Sequence, residues 1–152
     1  MKELNSFYNN ELITGVAILS VLKKTKTLEI SKVLLINPLL SYSAILNFVK
    51  KRSVKIRSIE ELIMKGNITF TNFNKRYLES LELSINSILL LRQLKLIRIE
   101  DNKVISTELE FDFNNKTLGS RAKEVSIAAS NLSEMIKRED ASNLYLSLRI
   151  EI

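Results

Sequence analysis

Apolar positions along most of this chain recur every three to four residues, which is the signature of helices with one buried face. The first such segment runs from a cap at Asn9 or Asn10 to about Lys24. Leu12, Val16, Leu19 and Leu22 form its stripe, and Ile13, Ala17 and Ile18 broaden it. Residues Met1 to Tyr8 read as a polar arm. A second helix opens at Thr27-Leu28-Glu29-Ile30, with Thr27 as cap. The proline at Pro38 disfavours helical geometry at Asn37, so a break or kink is expected there, followed by a third helix from Leu39 to about Lys50. Ser58 caps a short helix that Gly66-Asn67 ends, with Glu61 at the capping-box position. The long segment Asn74 to Leu91 places Leu78, Leu81, Ile85, Ile88 and Leu89 on one helical face. A last helix runs from Thr117 or Ser120 to about Arg138, with Ala122, Val125, Ala128, Ala129, Leu132, Met135 and Ile136 inward. Its small residues let another helix approach closely.

Period-two patterns are fewer. Leu96 to Ile99 and Val104-Ile105 flank Glu100-Asp101-Asn102-Lys103, and Asp and Asn tolerate the positive φ of a tight hairpin turn. Ile68-Thr69-Phe70 is expected as a short strand. Leu109, Phe111 and Phe113 alternate with Glu108, Glu110 and Asp112, an extended edge segment closed by a turn at Asn114-Asn115-Lys116. Residues Leu144 to Ile152 alternate throughout and predict a terminal strand, with a short helical turn at its start left open. The resulting fold class is mostly α with a small β component (α+β). A helical front half packs on a winged-helix-like back half that carries a β-hairpin. Within a single domain over 1–152, the possible lobes are 9–66 and 67–152.

Composition narrows the chemistry. The 152 residues are 45% hydrophobic and 26% charged, as in ordinary globular chains, and only three glycines and one proline punctuate them. There is no cysteine and no histidine, which removes thiolate and imidazole catalysis and the metal sites built on them. Gly15, Gly66 and Gly119 are isolated, so no glycine-rich phosphate cradle exists. The acids of residues 108–112 point to one solvent face by strict alternation, which argues against a paired-carboxylate site. Phe70, Phe73 and Tyr77 read as a hydrophobic cluster at helical spacing. The apolar run Leu12 to Leu22 is shorter than the roughly 20 residues a membrane span needs, and a cytoplasmic protein is the expectation.

The net charge of +6 permits an anionic partner without requiring one. Its densest expression is Lys50-Lys51-Arg52-Ser53-Val54-Lys55-Ile56-Arg57. Two readings stay open there. Lys50, Lys51, Arg52, Lys55 and Arg57 either contact nucleic-acid phosphates or form a solvated helix end, where cations suit the negative pole.

The order of segments resembles a known family. It comprises the N-terminal helix, the proline-interrupted Leu34-Leu35-Ile36-Asn37-Pro38-Leu39-Leu40, and the basic stretch with Ser58-Ile59-Glu60-Glu61-Leu62. Arg76 to Ile99 with its hairpin, the Ala-rich helix Ala122 to Ile136 and Leu144 to Leu148 complete it. Over Tyr8 to Arg149 this is similar to the middle component of bacterial three-component ABC systems related to Lamassu-type defence modules. Where many members carry a Gly-Arg-Trp-like step, this chain reads Ala129-Ser130-Asn131-Leu132. The resemblance implies a non-enzymatic accessory subunit without a cofactor of its own. Its implied partners are an SMC-like coiled-coil ATPase, which would hold ATP and magnesium, and an effector subunit, often a nuclease. DNA contact would be non-specific, through the complex. The alternative is a free-standing winged-helix DNA-binding regulator, whose helix before the hairpin should expose base-reading side chains. Leu81 to Leu94 is instead mostly Leu and Ile.

Overall fold

The computed structural model describes residues 2–51 and 54–151, with side chains from residue 10 onward except at 52 and 53. Helix α1 (Lys2–Thr25) leads into strand β1 (Thr27–Glu29). Helices α2 (Ile30–Ser41), α3 (Ser43–Val49), α4 (Ile59–Gly66) and α5 (Phe70–Gln93) follow. Strands β2 (Ile97–Glu100) and β3 (Lys103–Ser106) form a hairpin, and helices α6 (Gly119–Arg138) and α7 (Ala141–Ser147) close the described chain. The architecture is mostly helical with one small antiparallel sheet of order β1-β3-β2.

The hairpin forms as its turn chemistry dictates. Asp101 and Asn102 both adopt positive φ, 49° and 62°, the pairing a two-residue primed turn requires. Ile99 pairs with Val104 and Glu100 with Lys103. The third strand was not expected. Thr27 does not cap a helix but lies opposite Ile105, and Leu28 opposite Val104, so residues from both halves of the chain share the sheet. Strand β1 is only three residues long and exists because β3 offers it an edge. The α2 helix begins directly after it, with the Ile30 N–H donating to the Asn102 carbonyl at 2.9 Å.

Three helix boundaries also differ from the sequence expectation. The backbone is helical from Lys2, so Asn9 and Asn10 lie inside α1. Once nucleated, a helix extends at little cost through a segment lacking Gly and Pro. Pro38 sits inside α2, and the chain bends instead at Tyr42, where ψ is 109°; α2 and α3 meet at 93°. An interior proline costs a helix about 3 kcal/mol or more. Complete burial of Leu35, Ile36 and Leu39 around Pro38 offsets that cost. Residues 68 and 69 are not a strand, and Phe70 opens α5.

The C-terminal alternation is the largest correction. Leu144 to Ser147 belong to α7, and residues 148–151 form no strand. Leu144, Tyr145 and Leu148 are the buried residues of this stretch. Their spacing of one and four suits a helix face, and none of them pairs with a strand. Residues 107–113 likewise pair with no strand.

Elsewhere local chemistry and outcome agree. Ser58 Oγ accepts from the Glu61 N–H at 3.1 Å, and the Glu61 carboxylate accepts from the Arg57 N–H, one residue outside the usual capping-box partner. Asn67 ends α4 in the left-handed region at φ 47°. Within α6, Ala122, Val125, Ala128, Ala129, Leu132, Met135 and Ile136 are all buried. The small residues bring α1 and α6 together, and Ser20 and Ser126 hydroxyls meet 2.8 Å apart across that contact. Ile18, Leu22, Leu35, Ile36, Ile45, Leu62 and Phe73 are completely buried at the centre.

Candidate interaction surfaces

Helix α5 turns its expected apolar face outward. Its buried residues are Phe73, Tyr77, Ser80, Ser84, Ser87, Ile88 and Leu91. Leu78, Ile85 and Leu89 are 50%, 47% and 40% exposed, and Leu81 is only partly buried beside them. Of the five residues that periodicity places on one face, Ile88 alone is buried. Three of the seven buried residues are serines, and α1 brings Gly15 against Leu91, where an added Cβ would stand 3.4 Å from Cδ2. Ser80 and Ser87 hydroxyls donate to the Tyr77 and Leu83 carbonyls within the helix, while Ser84 Oγ has no partner among the described residues. Leu78, Leu81, Ile85 and Leu89 therefore form a solvent-facing ridge about 17 Å long at 1.5 Å per residue.

The basic stretch leaves α3 and crosses to α4. Lys50 is half-buried at the C-cap of α3, with Nζ 3.7 Å from Glu124 on α6. Lys51, Lys55 and Arg57 are exposed, and Arg52 lies outside the described residues. Asn131 of α6 pins the start of the stretch, its Nδ2 donating to the Val49 carbonyl at 2.7 Å and the Lys51 carbonyl at 2.9 Å. Arg57 lies near Glu61, whose carboxyl is held below the usual range by the Lys65 hydrogen bond and the Arg57 N–H. Lys55 borders the hollow beside Arg57 and Glu61 and also lines a concavity of about 280 Å³ together with Lys24 and Lys137. The sequence offered no signal for that meeting, because the three lysines come from α1, the loop and α6.

A third feature is a tyrosine clamp. Tyr145 donates to the Ser31 carbonyl at 2.6 Å, so the Tyr77 hydroxyl, 3.0 Å away, must donate to Tyr145. Burial pushes the Tyr145 phenol well above its ordinary range. The clamp ties α7 to α5 and α2 beneath an open, mostly apolar groove bounded by the hairpin turn. The aromatic series closes the core as expected: Phe73 is fully buried and Tyr77 nearly so. Among the described residues no single helix is long and apolar enough to cross a membrane, although α2 and α3 pass that test together as a bent pair.

The family model for the ABC-three component (ABC-3C) system Middle Component 3 matches residues 4–152. The chain belongs to this family. No curated protein and no solved structure matches it. A middle component is one member of a multi-component system, and the family's name therefore implies partner components. For such a protein the apolar ridge on α5 and the cationic concavity beside α6 are candidate surfaces for its partners.

Proposed function

We propose that this middle component is a non-catalytic docking subunit of a cytoplasmic defence complex. In this reading it links an SMC-like coiled-coil ATPase to an effector subunit such as a nuclease. The observation that carries the reading is the outward ridge of Leu78, Leu81, Ile85 and Leu89 on α5. Their spacing of three, four and four residues matches the seam that one helix offers another, with knobs filling holes between facing side chains. Lys75, Glu79, Glu82 and Arg92 lie on the same helix with mixed sign, which suits a polar rim around an apolar centre. A ligand pocket would need convergent polar groups, whereas this surface is a convex ridge suited to a helix.

The arrangement α1-β1-α2, then α5 and the hairpin, with sheet order β1-β3-β2, supports a winged-helix-like core. In a DNA-reading protein of that kind, α5 would carry Arg, Lys, Asn or Gln to base edges. From Leu78 to Leu89 its exposed positions are Leu, Ile and Glu instead, which favours a protein partner over a free-standing regulator. DNA sensing in this proposal belongs to the assembled complex, with Lys50, Lys51, Arg52, Lys55 and Arg57 as auxiliary phosphate contacts.

The test is co-expression with the ATPase component followed by size-exclusion chromatography. The native chain is expected to co-elute with the ATPase. The L78E/I85E/L89E variant should elute alone while keeping its helical circular dichroism. Co-elution undiminished by the three glutamates would remove α5 from the interface, and a native chain that never co-elutes would refute the docking role.

A further inference from the structure

We infer that the concavity between the C-terminal end of α1, the loop after residue 54 and α6 is a binding site for a phosphate group. Three lysines from separate parts of the chain line it, Lys24, Lys55 and Lys137, against one carboxylate, Glu134. Among the described residues none of the three lysines makes an ion pair.

The helix ends account for only part of this charge. Lys24 lies in the last turn of α1, where a cation offsets the negative pole. The equivalent pole of α6 is already served, because the nearly buried Lys32 donates to the Lys137 carbonyl at 3.1 Å. That leaves the Lys137 ammonium surplus. Lys55 comes from a loop and has no helix end to complement. Thr25, in the same wall and 3% exposed, has a hydroxyl oxygen with no hydrogen-bond partner among the described residues. Ser130 adds a second hydroxyl. Cations with hydroxyls are the donor set a tetrahedral oxyanion takes. A volume of about 280 Å³ holds a phosphate group and several waters, at roughly 30 Å³ per water. Asn131, in the same wall, holds the backbone at Val49 and Lys51 through its amide.

A free phosphate ion or a nucleic-acid backbone could supply this group, and two measurements on the full chain separate them. The first is a thermal melt in inorganic phosphate against chloride at matched ionic strength. The second is binding of a labelled DNA duplex between 50 and 200 mM salt. Native protein is compared with K55Q/K137Q and with a control of equal charge loss, K95Q/K103Q, at exposed positions away from the concavity. If free phosphate is the ligand, its stabilisation of the native chain disappears in K55Q/K137Q only. If the duplex is the ligand, losing two phosphate contacts lowers the salt slope by about 1.8, so the affinity change over that salt range shrinks about twelve-fold. Either result, with E134Q binding more tightly, supports the site. No response to either probe overturns it, and so does an equal effect of the control pair. Because these readouts do not involve the ATPase, they stand or fall separately from the docking role.

Discussion

Truncating α5 side chains one at a time measures which side of the helix faces the core. Leu91 and Ile88 are 4% and 5% exposed, so Leu91→Ala and Ile88→Ala lose the transfer term and leave a cavity. About 2–5 kcal/mol each is the usual cost. Ile85 and Leu89 are 47% and 40% exposed, so their side chains leave water only in part on folding, and water fills the space they vacate. Ile85→Ala and Leu89→Ala should each cost about 1 kcal/mol or less, since only part of the area is transferred and Ala is the better helix former. Urea melts followed by circular dichroism separate the two classes. With a slope of about 2 kcal/mol/M, the inward variants shift the midpoint by about 1–2.5 M and the outward ones by about half a molar or less. Leu89 and Leu91 are about 200° apart around the helix axis at 3.6 residues per turn. Equal losses at both would mean that α5 is rolled from this orientation, and the ridge with it would cease to exist.

Three further outcomes follow from individual contacts. A Cβ at Gly66 would stand 2.7 Å from Ile45 Cγ1, so Gly66→Ala should lower stability by about 1–3 kcal/mol in the same melts. The folded-state pKa of Tyr145 is raised, so its contribution is complete below the unfolded phenol value near 10 and is lost as pH rises above it. Stability measured across that alkaline range should fall less steeply in Tyr145→Phe, and an unchanged slope would count against the clamp. Glu61 has the opposite sign: its folded pKa is lowered, so its contribution holds above the ordinary carboxylate range and is lost as pH falls through the folded value. Glu61→Gln should therefore flatten that acid limb, read as the midpoint of urea melts at stepped pH.

What the sequence disclosed depended on how local the cause was. The Asp101-Asn102 turn, the Ser58 cap and the Asn67 stop are decided within a few residues, and each formed as its chemistry requires. The inward face of α6 was legible because Ala, Val, Leu and Met share one stripe against polar neighbours. Helix α5 was legible as a helix but not in orientation. Apolar residues occupy two of its faces, and periodicity cannot tell the face that packs from the face that docks. The core took the serine-bearing side, with Gly15 of α1 against Leu91, a choice visible only when both helices are in place. Strand β1 depended on an edge offered by residues 103–106, far along the chain. The alternation of Leu144 to Ile152 was ambiguous for the opposite reason: its buried residues Leu144, Tyr145 and Leu148 satisfy a helix face as well. Among the basic residues, the stretch from Lys50 to Arg57 was apparent by composition. The grouping of Lys55 with Lys24 and Lys137 required the packing of α1 against α6.

The chain contains no cysteine, so a single introduced thiol reports on one surface without background. Ile85→Cys places it on the α5 ridge, and Leu146→Cys, at a position 77% exposed on α7, serves as the comparison. Maleimide labelling rates measured with and without the coiled-coil ATPase component test the docking claim directly. The account predicts that both thiols react readily in the isolated chain and that the partner sharply slows labelling at residue 85 alone. Undiminished labelling at residue 85 in a complex shown to be assembled would contradict it.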